Sequence, residues 1–561
     1  MLCFGLLSTN PTVICGHRNK VNLRDLEKMN KTNLINLYLS LQEFTNNTLK
    51  ENSEMKEIIE MRRKLDFAAS SEKVDSRLQL LFDELDVERN LPQQPGKEPD
   101  TIEVAQHTRK KPHRITTLPA DTPIIDIYHE GIVATCPNCG SHDMVSASEK
   151  VVDRIGYQPA RRYIERHHYP QSQCNACEAE LADGEKNIIV ADYHAQVDGL
   201  MAAPSMVAQS AVQKFADGLP LYRQSGIYKR EGLEISRQTL SNWLLRYWQL
   251  LTPLSKRLRE HIVQAHLINQ DETPIKVLNP GPLASSRNNF MVVQVGTSGA
   301  HKAVLFNYVS NRRVETIDLL LEGYTNYVQT DGLKGYNHLD KHIGCWVHGV
   351  RAFKQILKVN KKAKDARKLC ELAGKLYVIE REERKSVSEG LITEQQFMIS
   401  RRDRAEVVFT EIKEFADAIR QDYTSGSAMG KALTYLYNYW SVLISYLDCY
   451  EANPSNNVAE NAIRPFVCGR RAWLFANTVN GADASALYYS LIETAKINDV
   501  NAYDYLWYVL EKSSSCHTEK DWDSLLPWNI DKKAIEKLKA RRAAAAPDPF
   551  RVEPYTFRGS R

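Results

Sequence analysis

The 561-residue chain has no apolar run approaching membrane-spanning length, which argues against transmembrane helices and a membrane partner. It also lacks a secreted protein's disulfide framework, because its eleven cysteines are odd in number and mostly scattered. The opening MLCFGLLSTNPTVICG has no basic n-region, and Ser, Asn and Pro cut its apolar run, so it does not read as a signal peptide. A cytoplasmic location is expected. A dominant charge is missing too. Lys plus Arg is 73 against 69 acids, a net +4, which does not by itself argue for nucleic acid. The basic residues are nevertheless clustered, at Arg109-Lys110-Lys111, Arg161-Arg162 and a run through Lys358, Lys361, Lys362, Lys364, Arg367 and Lys368. Such patches can hold phosphates, though solvated helix faces would look the same. With 43% apolar residues, a chain of this length can build several cores.

Read along its length, the chain suggests a multidomain α+β protein. Residues 1–22 read as disordered. Residues 23–87 carry a long helix in which Leu34, Leu37, Leu41 and Phe44 follow 3–4 spacing and Met55 and Ile58 resume it. A short coiled coil and a lone amphipathic helix both fit. Residues 88–122 are a Pro- and charge-rich linker. Residues 183–262 are helical. There a Gly232 turn and a Ser236 N-cap lead into SRQTLSNWLLRYWQLL, a pattern resembling a helix-turn-helix with Arg237, Gln238 and Thr239 at its polar opening. An ordinary helical subdomain is the alternative. AHLINQD, NNFMVVQVGT, AVLFNYV and NYVQTD then read as strands. A long helical stretch follows, with small helices near 501–512 and 531–543. The tail, residues 546–561, reads as disordered.

Four cysteines pair by spacing. Cys136 and Cys139 form CPNC, Cys174 and Cys177 form CNAC, and 34 residues separate the pairs. Two such knuckles suit a closed tetrahedral zinc site, hence a structural ion within residues 123–182. A redox dithiol is the rival, disfavoured by the matched pairs.

Three acids suggest another site. Asp271 ends the strand-like AHLINQD and Asp331 ends NYVQTD. Ends of parallel strands gather at one rim of a sheet. Glu460 lies in NNVAENAIRP, which reads as a helix start with Asn456 or Asn457 as cap and Ala459, Ala462 and Ile463 as its apolar stripe. Two Asp and one Glu could hold a pair of Mg²⁺ ions about 3.5–4 Å apart, the arrangement that serves both ends of an in-line phosphoryl displacement. Ordinary caps and solvated loop acids fit the spacing as well. Glu272 could stand in for Asp271, and Glu451 or Glu493 for Glu460.

The blocks QDETP, TDGLKGY, GCWVHGVRAF, SNNVAENAIRP, GRRAWLF and SALYYSLIETAK, preceded by CPNC, CNAC and YRQSGIYKREGLEISRQTLSNWL, closely resemble the insertion-sequence 66 family of bacterial transposases. The resemblance covers most of the chain. It implies a ribonuclease H-like core with a DDE acid triad, and block by block this gives Asp271, Asp331 and Glu460. The core would span 263–353 and 446–500. The 128 residues between Asp331 and Glu460 exceed what such a core needs, so 354–445 is expected to be a helical insertion, with 501–545 as C-terminal helices. There are departures from the family pattern at Leu333, Val350 and Ala472, none of them an expected metal ligand.

The implied activity is Mg²⁺- or Mn²⁺-dependent cleavage of element ends and strand transfer, with structural Zn²⁺. The implied partners are the element's terminal repeats and target DNA, a second copy of the chain or more, and accessory proteins of the element. Its setting would be the bacterial nucleoid. Arg237, Gln238, Thr239, Lys361, Lys362, Arg464, Arg470 and Arg471 are the candidate DNA contacts. A non-catalytic DNA-binding repressor and a junction-resolving nuclease are the competing readings.

Overall fold

The computed structural model describes residues 200–545 apart from 281–288 and Leu333, together with short stretches ahead of residue 200. Those stretches include three antiparallel pairs: Thr12–Cys15 with Asn19–Asn22, Thr101–Val104 with His107–Lys110, and Gln171–Gln173 with Ile188–Val190. They also include helical residues between 31 and 46. The expected seam residues Leu34, Leu37, Leu41 and Phe44, the four paired cysteines and the tail lie outside the described residues. Residues 86–166 form one compact unit and the rest of the chain another.

In the larger unit the first helices are α1 (Pro204–Phe215), α2 (Leu221–Arg230) and α3 (Arg237–Ile262). Gly232 turns the chain between α2 and α3 at φ +85°, a left-handed conformation that glycine adopts without penalty. Ser236 then caps α3, its hydroxyl accepting from the Thr239 N–H at 3.1 Å. Helix α3 buries Leu240, Trp243, Leu244, Tyr247, Leu251, Leu254 and Leu258 along one stripe, as 3–4 spacing dictates.

The main sheet has five strands: β1 (Leu267–Ile275), β2 (Asn289–Ser298), β3 (His301–Val309), β4 (Tyr327–Gln329) and β5 (His342–Ile343). Its order is β3-β2-β1-β4-β5. The first three strands are antiparallel to their neighbours, whereas β4 runs parallel to β1 and β5 parallel to β4. Strand β2 is buried without alternation from Met291 to Gly296, as in a strand covered on both faces.

A short helix α4 (Val314–Leu320) links β3 to β4. After β5 come α5 (Trp346–Val359), α6 (Lys364–Ser388), α7 (Glu394–Ile419), α8 (Ala428–Asn438) and α9 (Trp440–Ile444). The chain returns to the sheet as α10 (Asn457–Trp473) and α11 (Val479–Ile497), and ends in α12 (Ala502–Lys512), α13 (Glu519–Ser524) and α14 (Lys532–Ala545). Two apolar cores result. One joins the sheet to α1–α3 and α10–α14, and the other lies among α5–α9. Among the described residues no helix is long and apolar enough to cross a membrane.

Strand β3 has an open edge. Instead of another strand, α11 lies along it. Ser490 Oγ accepts from the Phe306 N–H at 2.8 Å, and Thr494 Oγ1 accepts from the Val304 N–H at 3.0 Å. Two hydroxyls thus satisfy backbone groups that would otherwise invite strand pairing.

Candidate active site

Asp271 is not at a strand end, as its sequence context suggests, but in the middle of the nine-residue β1. The reason lies in its partners. The antiparallel ladder to β2 continues past it, with Asp271 opposite Val293, whereas the parallel ladder to β4 stops two residues earlier at the Asn269–Gln329 pair. One side of β1 is therefore free of a strand from Asp271 onward. The β1–β4 register pairs Tyr327 with Leu267 and Gln329 with Asn269. Asp331 follows β4 by two residues, not at its end as NYVQTD suggests, and its charge acts on Asp271.

Side chains alternate along β1. Asn269, Asp271 and Thr273 face α10, and Gln270 and Glu272 face the other way. Asn269 Nδ2 donates to Asn456 Oδ1 at 3.0 Å and to Gln329 Oε1 at 2.9 Å. Asn456 Nδ2 donates to the Gln270 carbonyl at 2.8 Å, and the Asn456 N–H donates to Cys345 Sγ at 3.3 Å. Asn456 occupies the N-cap position of α10, yet its side chain makes no capping bond. The capping expected from NNVAENAIRP is replaced by a cross-link to β1. One turn later the same helix presents Glu460, and nearly three turns after that Arg470 donates to Thr273 Oγ1 at 2.8 Å and to the Pro274 carbonyl. Helix α10 is tied to β1 on both sides of Glu460, while Ala459, Ile463 and Phe466 bury its underside.

The electrostatics agree with this convergence. Burial pushes the Asp271 carboxyl up to about 7, opposed by the Glu272 N–H and reinforced by the negative charges of Asp331, Glu460 and Glu272. Asp331 Oδ1 is buried without a hydrogen-bond partner. Desolvated carboxylates that repel one another, one with an orphaned oxygen, fit a divalent cation, and an all-oxygen donor set suits Mg²⁺ or Mn²⁺.

The alternative acids point elsewhere. Glu272 is likewise raised to about 7, by burial first and then by Asp331, but it accepts from Tyr336 Oη at 3.1 Å and pairs with Arg312 at 3.4 Å on the opposite side of β1. Glu451 pairs with His266, ahead of β1, and Glu493 pairs with Lys496 on α11.

Sequence reasoning missed His348. It lies on the first turn of α5, half-buried, with Nδ1 3.7 Å from Glu460 Oε1. Burial and then Arg351 hold its pKa well below the usual value, opposed by Asp331. Donor atoms of Cys345, His348 and Glu460 lie within 4.8 Å of one another. The signal was a histidine one turn into an otherwise apolar helix start, GCWVHGV.

Of the candidate DNA contacts, Arg237, Gln238, Lys361, Lys362, Arg464 and Arg471 are exposed, Thr239 is half-buried at the α3 cap, and Arg470 is engaged with β1.

Comparison with known proteins adds an independent line. Residues 199–484 match the family model described as Transposase IS66 family, residues 490–528 match the IS66 C-terminal element, and residues 134–178 match the zinc-finger binding domain of transposase IS66. The last span contains all four paired cysteines. Among curated proteins, Uncharacterized protein y4jD of Sinorhizobium fredii is 27% identical over 436 residues, 73% of this chain and 81% of that protein. Uncharacterized protein y4hP of the same organism is 26% identical over 454 residues, 76% of this chain and 79% of that protein.

Proposed function

The chain belongs to the IS66 family of transposases, and on that premise we propose that it cuts the ends of an insertion element and joins them to target DNA, with Asp271, Asp331 and Glu460 as its metal-holding acids. The observation that carries this is the electrostatic convergence on Asp271, within β1, of Asp331 from the segment after β4 and Glu460 from α10. The sheet order, three antiparallel strands followed by two parallel to β1, supports a ribonuclease H-like core. The separate apolar cluster of α5–α9 supports reading the intervening helices as an insertion into that core.

When bound, Mg²⁺ or Mn²⁺ would supply Lewis-acid activation of a water or 3′ hydroxyl and stabilise the leaving oxygen. The chain's own residues do the rest. Asp271 offers its oxygens from within β1, and Asp331 from the segment that leaves β4 two residues after its last ladder pair. Glu460 is offered from a helix whose start is fixed to β1 by Asn456. His348, half-buried on the first turn of α5, stands beside Glu460 with its Nδ1 3.7 Å from Oε1. Arg470 holds α10 to β1, while Arg464 and Arg471 present exposed cations on the same helix for backbone phosphates. Lys361 and Lys362, at the turn after α5, and Arg237, Gln238 and Thr239, at the start of α3, are further DNA contacts in this proposal. Cys136, Cys139, Cys174 and Cys177 hold structural Zn²⁺ in it. The working form is a homodimer or larger, since two ends must be brought together.

The test is end-containing DNA incubated with the full chain and Mg²⁺, comparing wild type with Asp331→Ala. Nicking confined to element ends, reduced at least about a thousandfold in the variant, is the expected result. Salt-sensitive binding with no nicking by either protein would replace this reading with a repressor. Cutting that follows branched structure instead of end sequence would replace it with a resolvase.

A further inference from the structure

At the other end of β1 a second group of donors meets. His266 immediately precedes the strand, and Cys449 and Glu451 lie in the loop that leads to α10. Three distances define the group: His266 Nδ1 to Glu451 Oε2 2.8 Å, Cys449 Sγ to Glu451 Oε2 3.4 Å, and Cys449 Sγ to His266 Nδ1 3.9 Å. Tetrahedral zinc, with bonds of about 2.0–2.1 Å to N and O and about 2.3 Å to S, sets its donors roughly 3.3–3.6 Å apart. The observed triangle needs only small side-chain adjustments to match that.

The donors are also held from behind. Tyr324 Oη donates to the His266 carbonyl at 3.1 Å, and the Tyr327 ring packs edge-on against the imidazole at 5.3 Å between centroids. Arg401, itself fully buried, donates to the Cys449 carbonyl at 3.1 Å. Cys449 is buried, whereas His266 and Glu451 are half-exposed, so the open side of the triangle faces solvent. The group is distinct from the acid site. Asp271 is five residues further along β1, roughly 17 Å at the rise of a strand.

We propose that His266, Cys449 and Glu451 form a second metal site, for a borderline cation of the zinc class, with a water in the fourth position. One imidazole, one thiolate and one carboxylate select such an ion over Mg²⁺, which wants oxygen donors alone. The thiol proton passes to solvent on binding, leaving two negative charges against a divalent ion. The ion clamps the start of β1 to the loop ahead of α10, two segments that each go on to deliver a site acid. This inference does not depend on the transposase reading.

The experiment is equilibrium dialysis of the full, zinc-loaded chain against Zn²⁺, with Co²⁺ as a spectroscopic probe. Wild type is expected to hold one more equivalent than Cys449→Ser. His266→Ala and Glu451→Gln are expected to weaken that equivalent at least tenfold. Added Co²⁺ should give thiolate charge-transfer absorption in wild type that Cys449→Ser lacks. Because Cys449 is buried and its variant can lose the fold, Glu451→Gln at a half-exposed position is the control, checked by circular-dichroism melting. Added Zn²⁺ should raise the melting temperature of wild type and leave that of Glu451→Gln in place. Equal metal content and affinity in wild type and Glu451→Gln would overturn the proposal and leave an ordinary His–Glu ion pair.

Discussion

The sheet with its covering helices and the helices α5–α9 solve the same problem by different chemistry. In the sheet, position is set by ladders: Asp271 sits within the ladder to β2, Asp331 follows β4 two residues after its ladder to β1 ends, and β2 and β3 are buried in an apolar core. Among α5–α9 there is also an apolar core, but at its margin lies a buried charged cluster. Arg401 is fully buried and pairs with Glu380 at 3.4 Å, and Arg384 pairs with the same carboxylate at 2.6 Å. The two guanidinium groups donate to the carbonyls of Leu447, Cys449, Tyr450 and Ala452. That stretch has no ladder of its own. Its carbonyls are satisfied by side chains, and it leads straight to Asn456 and Glu460. One acid is thus placed within a strand, one just after a strand, and the third on a helix whose leading loop the helical region grips.

The largest effect is expected at Arg401. Arg401→Ala leaves Glu380 with one partner and strips several buried carbonyls, so a loss of about 3–5 kcal/mol is expected in denaturant unfolding. If the loop truly depends on this grip, hydrogen exchange should rise in residues 446–456 and stay unchanged in β1–β3. A uniform rise across both regions would show that the division between them is wrong.

The next effect sharpens the sheet's side of the contrast. Asp271 has a usual pKa of 3.8 raised to about 7 by burial and its acidic neighbours. A carboxyl raised on folding contributes stability that is whole below its unfolded pKa and is lost as pH climbs through the folded value. Without divalent cation, the melting temperature should therefore fall as pH rises from about 4 to about 7. Asp271→Asn should flatten part of that slope, and Glu272, also raised to about 7, should keep the remainder. Added Mg²⁺ should restore stability at pH 8 in wild type alone. An unchanged slope in Asp271→Asn would mean that this carboxyl is not held as described.

Asn456 joins the two regions, and its loss should be smaller. Asn456→Ala removes bonds to Asn269 and the Gln270 carbonyl, leaving buried polar groups that cost about 1–3 kcal/mol. If Glu460 depends on it for aim, strand transfer should drop about 10- to 100-fold, with partial recovery at high Mg²⁺. A stability loss with full activity would confine Asn456 to folding.

How much of this was legible in the sequence follows from the same contrast. Strands β1–β4 announced themselves by β-branched and aromatic runs, and Ser236 announced the start of α3, because these are local signals. Asp271 was misjudged as terminal because nothing local reveals that one ladder stops while the other continues. The two-residue β5 and the short parallel pair Val277–Asn279 with Ala476–Thr478 were missed, being shorter than any periodicity. Asn456 read as a cap because a helix-start asparagine usually is one. Its use as a cross-link depends on Asn269, 187 residues away. Arg401 was not singled out, since burial of a charged group on a helix is decided by tertiary packing alone.

The smallest effect expected is at the far edge of the sheet. Ser490→Ala leaves the Phe306 N–H without its acceptor, and Thr494→Val does the same for Val304. Each should cost about 1 kcal/mol, near the net worth of one hydrogen bond with some desolvation added. The sites lie one turn apart on α11 and serve the same edge, so their effects should couple in a double-mutant cycle instead of adding. The informative readout is association: an unsatisfied β3 edge is a template for another strand, so the double variant should self-associate at concentrations where wild type does not. A double variant that loses stability while its association state stays that of wild type would mean that α11 shields the edge by bulk, not through its hydroxyls.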